Sequence, residues 1–322
     1  MEAAELRILE ASQRDFPLVP RPFAALGERL GVGEETVLAA FARAASEGVL
    51  SRLGAVFRPG AVGAGLLCAL ALPENELEAV AARVSAEPGV NHNYEREHRY
   101  NLWFVVTGQD EAALERTLAA IERIAGRRAL RLPLVEEYYV DLGFALDGST
   151  RPRAPRALPV ERTVLSAPER ALLGAVEEGL ALVPRPFSEI GRRAGLEEVE
   201  VLARLRDWIA RGLVRRFGAV LRHRPLGFSA NAMALWQVPE ARVREAGLRL
   251  AAHPAVTLCY RREPDLPVWP YTLYCMVHGR ERQAVRRALE EASLAAGLAA
   301  WPRAVLFSRR CFVQRGARYA YG

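Results

Sequence analysis

LVPRPF occupies residues 18–23, and the same six letters return at residues 182–187, an offset of 164. This offset also carries GAV at 54–56 onto GAV at 218–220. Later in the chain Tyr94 matches Tyr260 at an offset of 166, and a proline-rich loop, EPDLPVWP, lengthens the second copy. Matches in this order predict that the chain is a tandem duplication.

Each copy predicts the same series of elements. In the first copy, apolar spacing indicates helices over residues 3–13, 22–31 and 34–47, followed by a short wing hairpin over 49–57. Three helices and a wing form a winged helix-turn-helix. The remainder alternates strands and helices in the order βαββαβ, which is a ferredoxin-like arrangement. The expected fold class is α+β, a tandem duplication of a winged helix-turn-helix plus a ferredoxin-like βαββαβ unit.

The expected boundaries follow from this order. Residues 147–163 are rich in Pro, Arg and small polar residues, a composition typical of linkers. The predicted domains are a winged helix-turn-helix over 1–62, a ferredoxin-like α/β domain over 63–146, the linker over 147–163, a second winged helix-turn-helix over 164–226, and a second α/β domain over 227–322.

Composition limits the possible chemistry. All 44 basic residues are arginines, and the formal net charge is +6. Without lysine the chain cannot form an internal Schiff base, which excludes pyridoxal phosphate enzymes. Arginine binds carboxylates and phosphates in a bidentate manner, so we expect an acidic partner. The four scattered cysteines are expected in the core, and we predict no metal site, no membrane span and a cytoplasmic location.

Residues 91–104, NHNYEREHRYNLWF, hold the densest group of chemically active side chains. Alternation along a strand puts His92, Tyr94 and Arg96 on one face. On the next strand Asn101 and Trp103 share a face, and the opposite, apolar face is expected to pack on the helices. The polar and aromatic face is therefore predicted to look into the space between the two α/β units.

The second copy has diverged at the matching positions. It keeps Tyr260 and Arg262, but Leu258 stands where the first copy has His92. Such a difference is expected of a catalytic half and a supporting half. His278, at a strand end before a glycine, is expected to be structural.

A winged helix followed by this α/β unit resembles the Lrp/AsnC transcription regulators, which dimerise through their α/β units. Two fused copies would make that dimer within one chain, a pseudo-dimer, with further self-association left open. However, the third helices, GEETVLAAFARAASEG and LEEVEVLARLRDWIARG, lack the Arg, Lys, Asn and Gln face that reads bases, so no specific DNA binding is expected.

Several longer phrases are similar to those of the sirohaem decarboxylases: LVPRPF in both halves, NHNYEREHRYNLWF in the first, and LRHRPLGFSANAMALW and CYRREPDLPVWPYTLYCMVHG in the second. The resemblance implies removal of two acetate carboxylates from sirohaem to give 12,18-didecarboxysirohaem, for haem d1 or alternative haem synthesis. The alternative is an Lrp/AsnC-like regulator or a sensor of haem or another tetrapyrrole.

Decarboxylation leaves negative charge on a methylene carbon, which must then receive a proton. Histidine is the natural donor near neutral pH, so His92 and His98 are the first catalytic candidates and Tyr94 is the fallback. No separate cofactor is predicted, because the iron belongs to the substrate. The candidates for binding the carboxylates and the flat ring are Arg96, Asn101, Trp103, Tyr260, Arg261, Arg262, Trp269, Arg222 and His223.

Overall fold

The structure, a computed structural model, describes residues 2–140, 154–222 and 225–321. The first half contains α1 (Ala3–Ala11), α2 (Pro22–Leu30), α3 (Glu34–Ser46), β1 (Leu50–Phe57), β2 (Ala64–Leu70), α4 (Glu74–Ala86), β3 (Val90–Arg96), β4 (Leu102–Gly108), α5 (Glu111–Ala125) and β5 (Leu130–Val140). The second half contains β6 (Leu158–Pro159), α6 (Ala167–Glu177), α7 (Pro186–Ala194), α8 (Glu198–Ala210), β7 (Val214–Leu221), β8 (Ala230–Trp236), α9 (Glu240–Ala252), β9 (Val256–Arg262), β10 (Leu273–Gly279), α10 (Arg282–Ala295) and β11 (Arg303–Gln314).

The repeated LVPRPF segment starts the second helix of each helix-turn-helix. Pro22 occupies the first turn of α2, where its missing N–H costs nothing, and Gly31 ends the helix with a positive φ. Phe23 is fully buried among the three helices. Arg21 pairs with Glu34 at the start of α3 and so links the starts of the two helices. The second copy repeats this pairing between Arg185 and Glu198.

The wings differ from the predicted hairpins. β1 is a single strand that pairs antiparallel with β7 of the other half, with Gly54 opposite Gly218 at the centre. The hairpin prediction for residues 49–57 was therefore wrong, because each wing strand finds its partner in the other repeat. The two winged units share one two-stranded sheet and one hydrophobic core.

The two α/β units close into one barrel. Each has the βαββαβ order that the sequence predicts, with strands in the order β5-β2-β4-β3 in the first unit and β11-β8-β10-β9 in the second. β5 pairs with β2 over its first residues and then with β9 of the other unit. β11 similarly pairs with β8 and then with β3. Eight antiparallel strands thus form a closed ring, in which the duplication makes an intramolecular pseudo-dimer.

Strand alternation gives the barrel two different faces. Outward-facing apolar residues such as Leu102, Phe104 and Val106 pack on α4 and α5, as predicted. On the opposite face of the sheet, side chains such as His92 and Tyr94 point to the interior. Cys68, Cys259 and Cys275 are buried as expected, whereas Cys311 is exposed, so the core prediction was wrong for that residue.

The part of the predicted linker that the structure describes packs against the first α/β unit. Its residues Leu158–Pro159 form β6, which pairs with Glu136 and Glu137 at the end of β5. Arg162 forms an ion pair with Glu111 at the start of α5. Residues 147–153 and the end of the first predicted α/β domain, residues 141–146, lie outside the described residues. Every helix within the described ranges is too short or too polar to cross a lipid bilayer.

Candidate active site

A cavity of about 1110 Å³ lies between the barrel and the shared wing sheet. Residues of β3, β4, β9 and β10 line it from the barrel, and residues of β1 and β7 line it from the wings. Both repeats therefore contribute to one space. Its volume slightly exceeds the ~300–1,000 Å³ typical of small-molecule sites, so it can hold a large ligand.

Aromatic side chains close the barrel beneath this cavity. Trp103 lines the cavity, is 2% exposed, and packs on Trp269 with ring centroids 5.3 Å apart. The Trp269 indole donates to the Tyr274 hydroxyl at 2.9 Å, and the Trp103 indole donates to the Tyr100 carbonyl at 2.8 Å. Both indole N–H groups are thus satisfied within the protein, and Trp103 presents an aromatic side chain to the cavity.

The first repeat places three predicted residues on one wall. His92 and Tyr94 stack with ring centroids 6.1 Å apart, and the Arg96 guanidinium lies 5.6 Å from the Tyr94 ring centre. Burial, with a smaller effect of the Arg52 charge, lowers the pKa of His92 to about 4. The imidazole is therefore neutral at pH 7 before any ligand arrives.

The second repeat builds the opposite wall from the matching positions. Leu258, Tyr260 and Arg262 line the cavity, and the Arg262 guanidinium lies 5.5 Å from the Tyr260 ring centre. Burial raises the pKa of Tyr260 to about 12, against the effect of Arg215 and Arg262. His278 of β10 also lines this wall, and its Nδ1 lies 2.9 Å from the Thr257 hydroxyl oxygen.

The charge of the lining is strongly positive. Seven arginines and three glutamates line the cavity, and two of the arginines, Arg131 and Arg162, are paired with Glu115 and Glu111. The other five have no carboxylate within ion-pair distance among the described residues and donate instead to backbone carbonyls: Arg52 to Ala55, Arg96 to Leu306, Arg222 to Gly48, Arg262 to Leu132 and Arg315 to Val90.

Neutral carbonyls cannot offset the charge of these arginines. Burial lowers the pKa of Arg52 and Arg96 to about 10 and also lowers that of Arg262 and Arg315. The buried Nε of Arg96 has no hydrogen-bond partner among the residues that the structure describes. Buried cations without anions are unfavourable, so the cavity favours a ligand that carries several carboxylates.

The C-terminal segment closes one side of the cavity. Tyr319 is buried, and its backbone N–H and that of Ala320 donate to the Glu177 carboxylate at the end of α6. Burial raises the pKa of Glu177 to about 7, although these two hydrogen bonds and Arg52 act in the opposite direction. The charge of this carboxylate acts on Arg52, which lines the same cavity.

Seven of the predicted site residues therefore meet around one cavity: His92, Tyr94, Arg96, Trp103, Arg222, Tyr260 and Arg262. Their catalytic and binding roles remain predictions, which the variants described below test. His223 lies outside the described residues.

Four others do not reach the cavity. Asn101 accepts a hydrogen bond from the Leu72 N–H and donates one to the Leu72 carbonyl. These two bonds join the chain after β2 to the residue before β4, so the role of Asn101 is structural. Arg261 points to the outer face, where it pairs with Glu240. Trp269 lies one layer below the lining, and His98 is exposed in the β3–β4 turn, where its Nδ1 accepts from the Tyr100 N–H. We no longer expect these four to touch substrate.

Sequence reasoning missed Arg52, Glu177, His278 and Arg315. Arg52 could have been found, since it matches Arg216 at the offset of 164 and lies beside the GAV repeat. Arg315 comes from the second copy but bonds to the Val90 carbonyl of the first, and only the crossing of β11 brings it there.

Comparison with known families agrees with this architecture. The family model for the AsnC-like ligand binding domain matches residues 61–138 and 225–313. The family model for the siroheme decarboxylase NirDL-like HTH domain matches residues 5–50 and 169–215. The chain is 45% identical to the siroheme decarboxylase NirDL subunit of Paracoccus denitrificans, over 99% of this chain and 98% of that protein. The chain belongs to the sirohaem decarboxylase family.

Other sirohaem decarboxylases extend this similarity. The siroheme decarboxylase of Hydrogenobacter thermophilus is 31% identical over 97% of this chain and 94% of its own length. A crystal structure of siroheme decarboxylase NirDL in complex with an iron-uroporphyrin III analogue superposes with a TM-score of 0.68 at 28% identity, and it covers 98% of this chain and 93% of that one. The duplicated architecture is thus that of the sirohaem decarboxylases along the whole chain.

Proposed function

We propose that this protein decarboxylates sirohaem, converting it to 12,18-didecarboxysirohaem by removing the carboxylates of two acetate arms, in the synthesis of haem d1. The observation that carries the proposal is the group of five cavity arginines that have no carboxylate partner among the described residues. Sirohaem carries eight carboxylates, so its binding would offset these charges. Family membership adds the reaction, since the relatives described above are sirohaem decarboxylases.

The cavity supplies what each step requires. The bond between the methylene and the carboxylate breaks, CO2 leaves, and the electron pair remains on the methylene carbon and spreads into the ring. A proton then converts that carbon to a methyl group, and the reaction is redox-neutral. Trp103 offers a flat aromatic surface to the macrocycle, and removal of water by the bound ring favours loss of the charged carboxylate.

His92 is the proposed proton donor on the first wall. Burial, and to a smaller extent the charge of Arg52, lowers the pKa of His92. A substrate carboxylate bound beside Arg52 offsets that charge and raises the pKa of the imidazole, so that substrate binding and proton uptake are coupled. Tyr94, stacked on His92, is the fallback donor. The iron belongs to the substrate, and the absence of a separate cofactor is part of this proposal.

The alternative, a DNA-binding regulator, is less favoured by the third helices. Arg43 of α3 pairs with Glu5 and Glu47. Arg206 of α8 donates to the Leu18 carbonyl of the other half. Side chains occupied in this way are poorly placed to read bases, so we propose that the winged units are scaffolds. The cytoplasmic location and any further self-association remain predictions.

The test is direct. Purified protein incubated anaerobically with sirohaem, without added cofactor, is expected to yield a product lighter by two CO2 in mass spectrometry. Unchanged sirohaem, alongside an active family member as positive control, would exclude the proposal. Specific DNA binding that persists at physiological salt would instead support the regulator, because non-specific binding is lost as salt rises.

A further inference from the structure

The two cavity walls differ in the residue that lies opposite their shared tyrosine. On the first wall Cys311 of β11 is opposite Tyr94 of β3, and on the second wall Glu137 of β5 is opposite Tyr260 of β9. Cys311 and Glu137 therefore occupy matching positions of the two long strands. A small thiol in one repeat stands where the other repeat has a carboxylate.

The wing strands carry a second difference of the same kind. Ser51 of β1 matches Arg215 of β7 at the offset of 164. Arg215 forms an ion pair with Glu137, which is 4% exposed. Two small side chains of one wall are therefore replaced on the other by two longer, charged side chains that neutralise each other.

This difference decides which residues reach the cavity. Ser51 and Cys311 line it, whereas Arg215 and Glu137 are absent from the described residues that do so. The charge of Arg215 acts on the Tyr260 phenol, which places the ion pair beside that ring. The space that is open beside the tyrosine of the first wall is thus filled on the second.

The arginines of the wing sheet follow the same asymmetry. Arg52 and Arg222 lie at one end of this sheet, and both line the cavity. Their repeat partners, Arg216 and Arg58, are missing from the described part of the lining, and Arg58 donates to the Pro159 carbonyl of β6. The open space therefore lies at the end of the wing sheet that presents arginines to a ligand.

A pseudo-twofold cavity can accept a flat ligand in two orientations. Both walls offer a tyrosine and an arginine, and carboxylates project from all sides of sirohaem. Each ring of sirohaem carries an acetate arm, but the reaction removes carboxylates from two particular arms. If the walls were equivalent, sirohaem turned by half a rotation would bind equally well with the wrong arms at the reacting position.

We propose that the Arg215–Glu137 ion pair fixes which way round sirohaem binds, because it fills on the second wall the space that the first wall leaves to an arm of the substrate. This inference rests on the proposed function. On the first wall the arm enters beside Tyr94 and offsets the charges of Arg52 and Arg222. On the second wall it would have to displace a pair that is already neutral, which disfavours the turned orientation.

The experiment gives the second wall the residues of the first. Arg215→Ser with Glu137→Cys is expected to let sirohaem bind in both orientations, of which one is productive. With protein in excess over sirohaem, the unmodified protein should convert all bound substrate in one fast phase. The double variant should convert about half in that phase, since two states of equal free energy are equally populated, and the rest only as turned molecules dissociate and rebind. Quenched samples analysed by mass spectrometry measure both phases.

Two controls separate the filling of this space from other effects. Arg215→Met with Glu137→Leu keeps the space filled without charge, and such a replacement is often neutral for stability, so one fast phase is expected. Arg303→Ser with Glu290→Cys removes an ion pair between β11 and α10, neither member of which lines the cavity, and should also leave one phase.

A reciprocal variant tests the inference even if the first double variant does not fold. Ser51→Arg with Cys311→Glu fills the open space as well, so that neither wall can take the arm. Sirohaem binding, followed by its absorption spectrum, should weaken about 10-fold or more, the loss expected when hydrogen bonds to a charged group are removed. Unchanged binding in this variant would contradict the inference.

The outcomes distinguish this inference from the proposed function. If the unmodified protein removes no CO2, the proposed function fails. If it removes two, and the folded Arg215→Ser/Glu137→Cys variant still converts all bound sirohaem in one phase, the function stands and the ion pair does not set the orientation. A single phase that is merely slower would also contradict the inference, because it indicates an effect on the chemistry and not on orientation.

Discussion

Along β3 the cavity wall carries His92, Tyr94 and Arg96, whereas the matching positions of β9 carry Leu258, Tyr260 and Arg262. The tyrosine and arginine are held alike in both halves. Arg96 donates to the Leu306 carbonyl and Arg262 to the Leu132 carbonyl, each on the long strand contributed by the other unit. The tyrosine and the arginine of the two walls have therefore kept the pseudo-twofold symmetry, and the imidazole has not.

Symmetry suits the proposed binding role of the arginines, because carboxylates project from all sides of the macrocycle. The imidazole of His92 has no counterpart at the matching position of the second wall, where Leu258 lines the cavity. The two walls therefore offer the same charged side chains and different titratable side chains to a ligand.

The largest effect on product formation is expected when the first half receives the second half's residue at the position of His92. His92→Leu installs the residue found at the matching position, Leu258. We expect formation of the doubly decarboxylated product to fall about 10²–10⁴-fold, because the proposed proton donor is lost. Binding of sirohaem should persist, since the cavity arginines remain. Product analysis by mass spectrometry and a spectral titration measure the two quantities separately.

The opposite result would assign proton donation to the second repeat. If His92→Leu keeps near-normal turnover while Tyr260→Phe abolishes it, the chemistry belongs to the second hairpin. The Tyr260 phenol, whose pKa is raised to about 12 by burial, would then be the donor to examine.

A smaller effect, on sirohaem binding, is expected for one of two adjacent arginines on β9. Arg262 lines the cavity, and Arg261 faces outward to Glu240. Arg262→Met should weaken sirohaem binding about 10- to 100-fold, the loss expected for hydrogen bonds to a charged group. Arg261→Met, the control on the same strand, should change binding less than about twofold, because a surface ion pair contributes little. Equal loss in both variants would show that the assignment of faces is incorrect.

This pair also shows how far the sequence could be read. The duplication, the order of elements and the two faces of β3 and β4 follow from repeats and alternation, and the structure confirms them. The sequence offered the same guide around Tyr260, because Arg262 matches Arg96 and alternates with Arg261, but both arginines were predicted to bind. The register of β9 with β5 and β10 shows that Arg262 is the one that faces inward.

Other features depend on contacts between distant parts of the chain. The wing was predicted as a hairpin because the sequence near residues 49–57 cannot reveal that β1 pairs with β7 of the other half. Trp269 looked like a wall for a flat ligand, but the proline-rich loop folds it beneath Trp103. Glu177 at the end of α6 and Tyr319 of the C-terminal segment, which are far apart in the sequence, meet at the cavity through a hydrogen bond.

The smallest expected effect concerns stability and again compares repeat-related positions. Glu177 in the second half corresponds to Gln13 in the first, and both lie where a helical unit meets the arginine of the opposite wing strand. Because burial raises the pKa of Glu177 from 4.5 to about 7, the native state keeps this proton to a higher pH than the unfolded chain does. Its contribution to stability is therefore full below about pH 4.5 and is lost as the pH rises through 7.

Glu177→Gln should remove that loss, since an amide stays neutral and its oxygen can still accept from the Tyr319 and Ala320 N–H groups. We expect the variant to unfold with a free energy roughly 1–3 kcal/mol higher than the unmodified protein at pH 8 and equal to it near pH 4, as measured by denaturant titration. The reciprocal change, Gln13→Glu, places a carboxyl at a position that is 1% exposed and should destabilise the protein at pH 8. If Glu177→Gln is instead less stable at pH 8, the ionised carboxylate is stabilised by its hydrogen bonds and by Arg52 more than burial disfavours it. In that case the two repeats differ here in charge as well as in sequence.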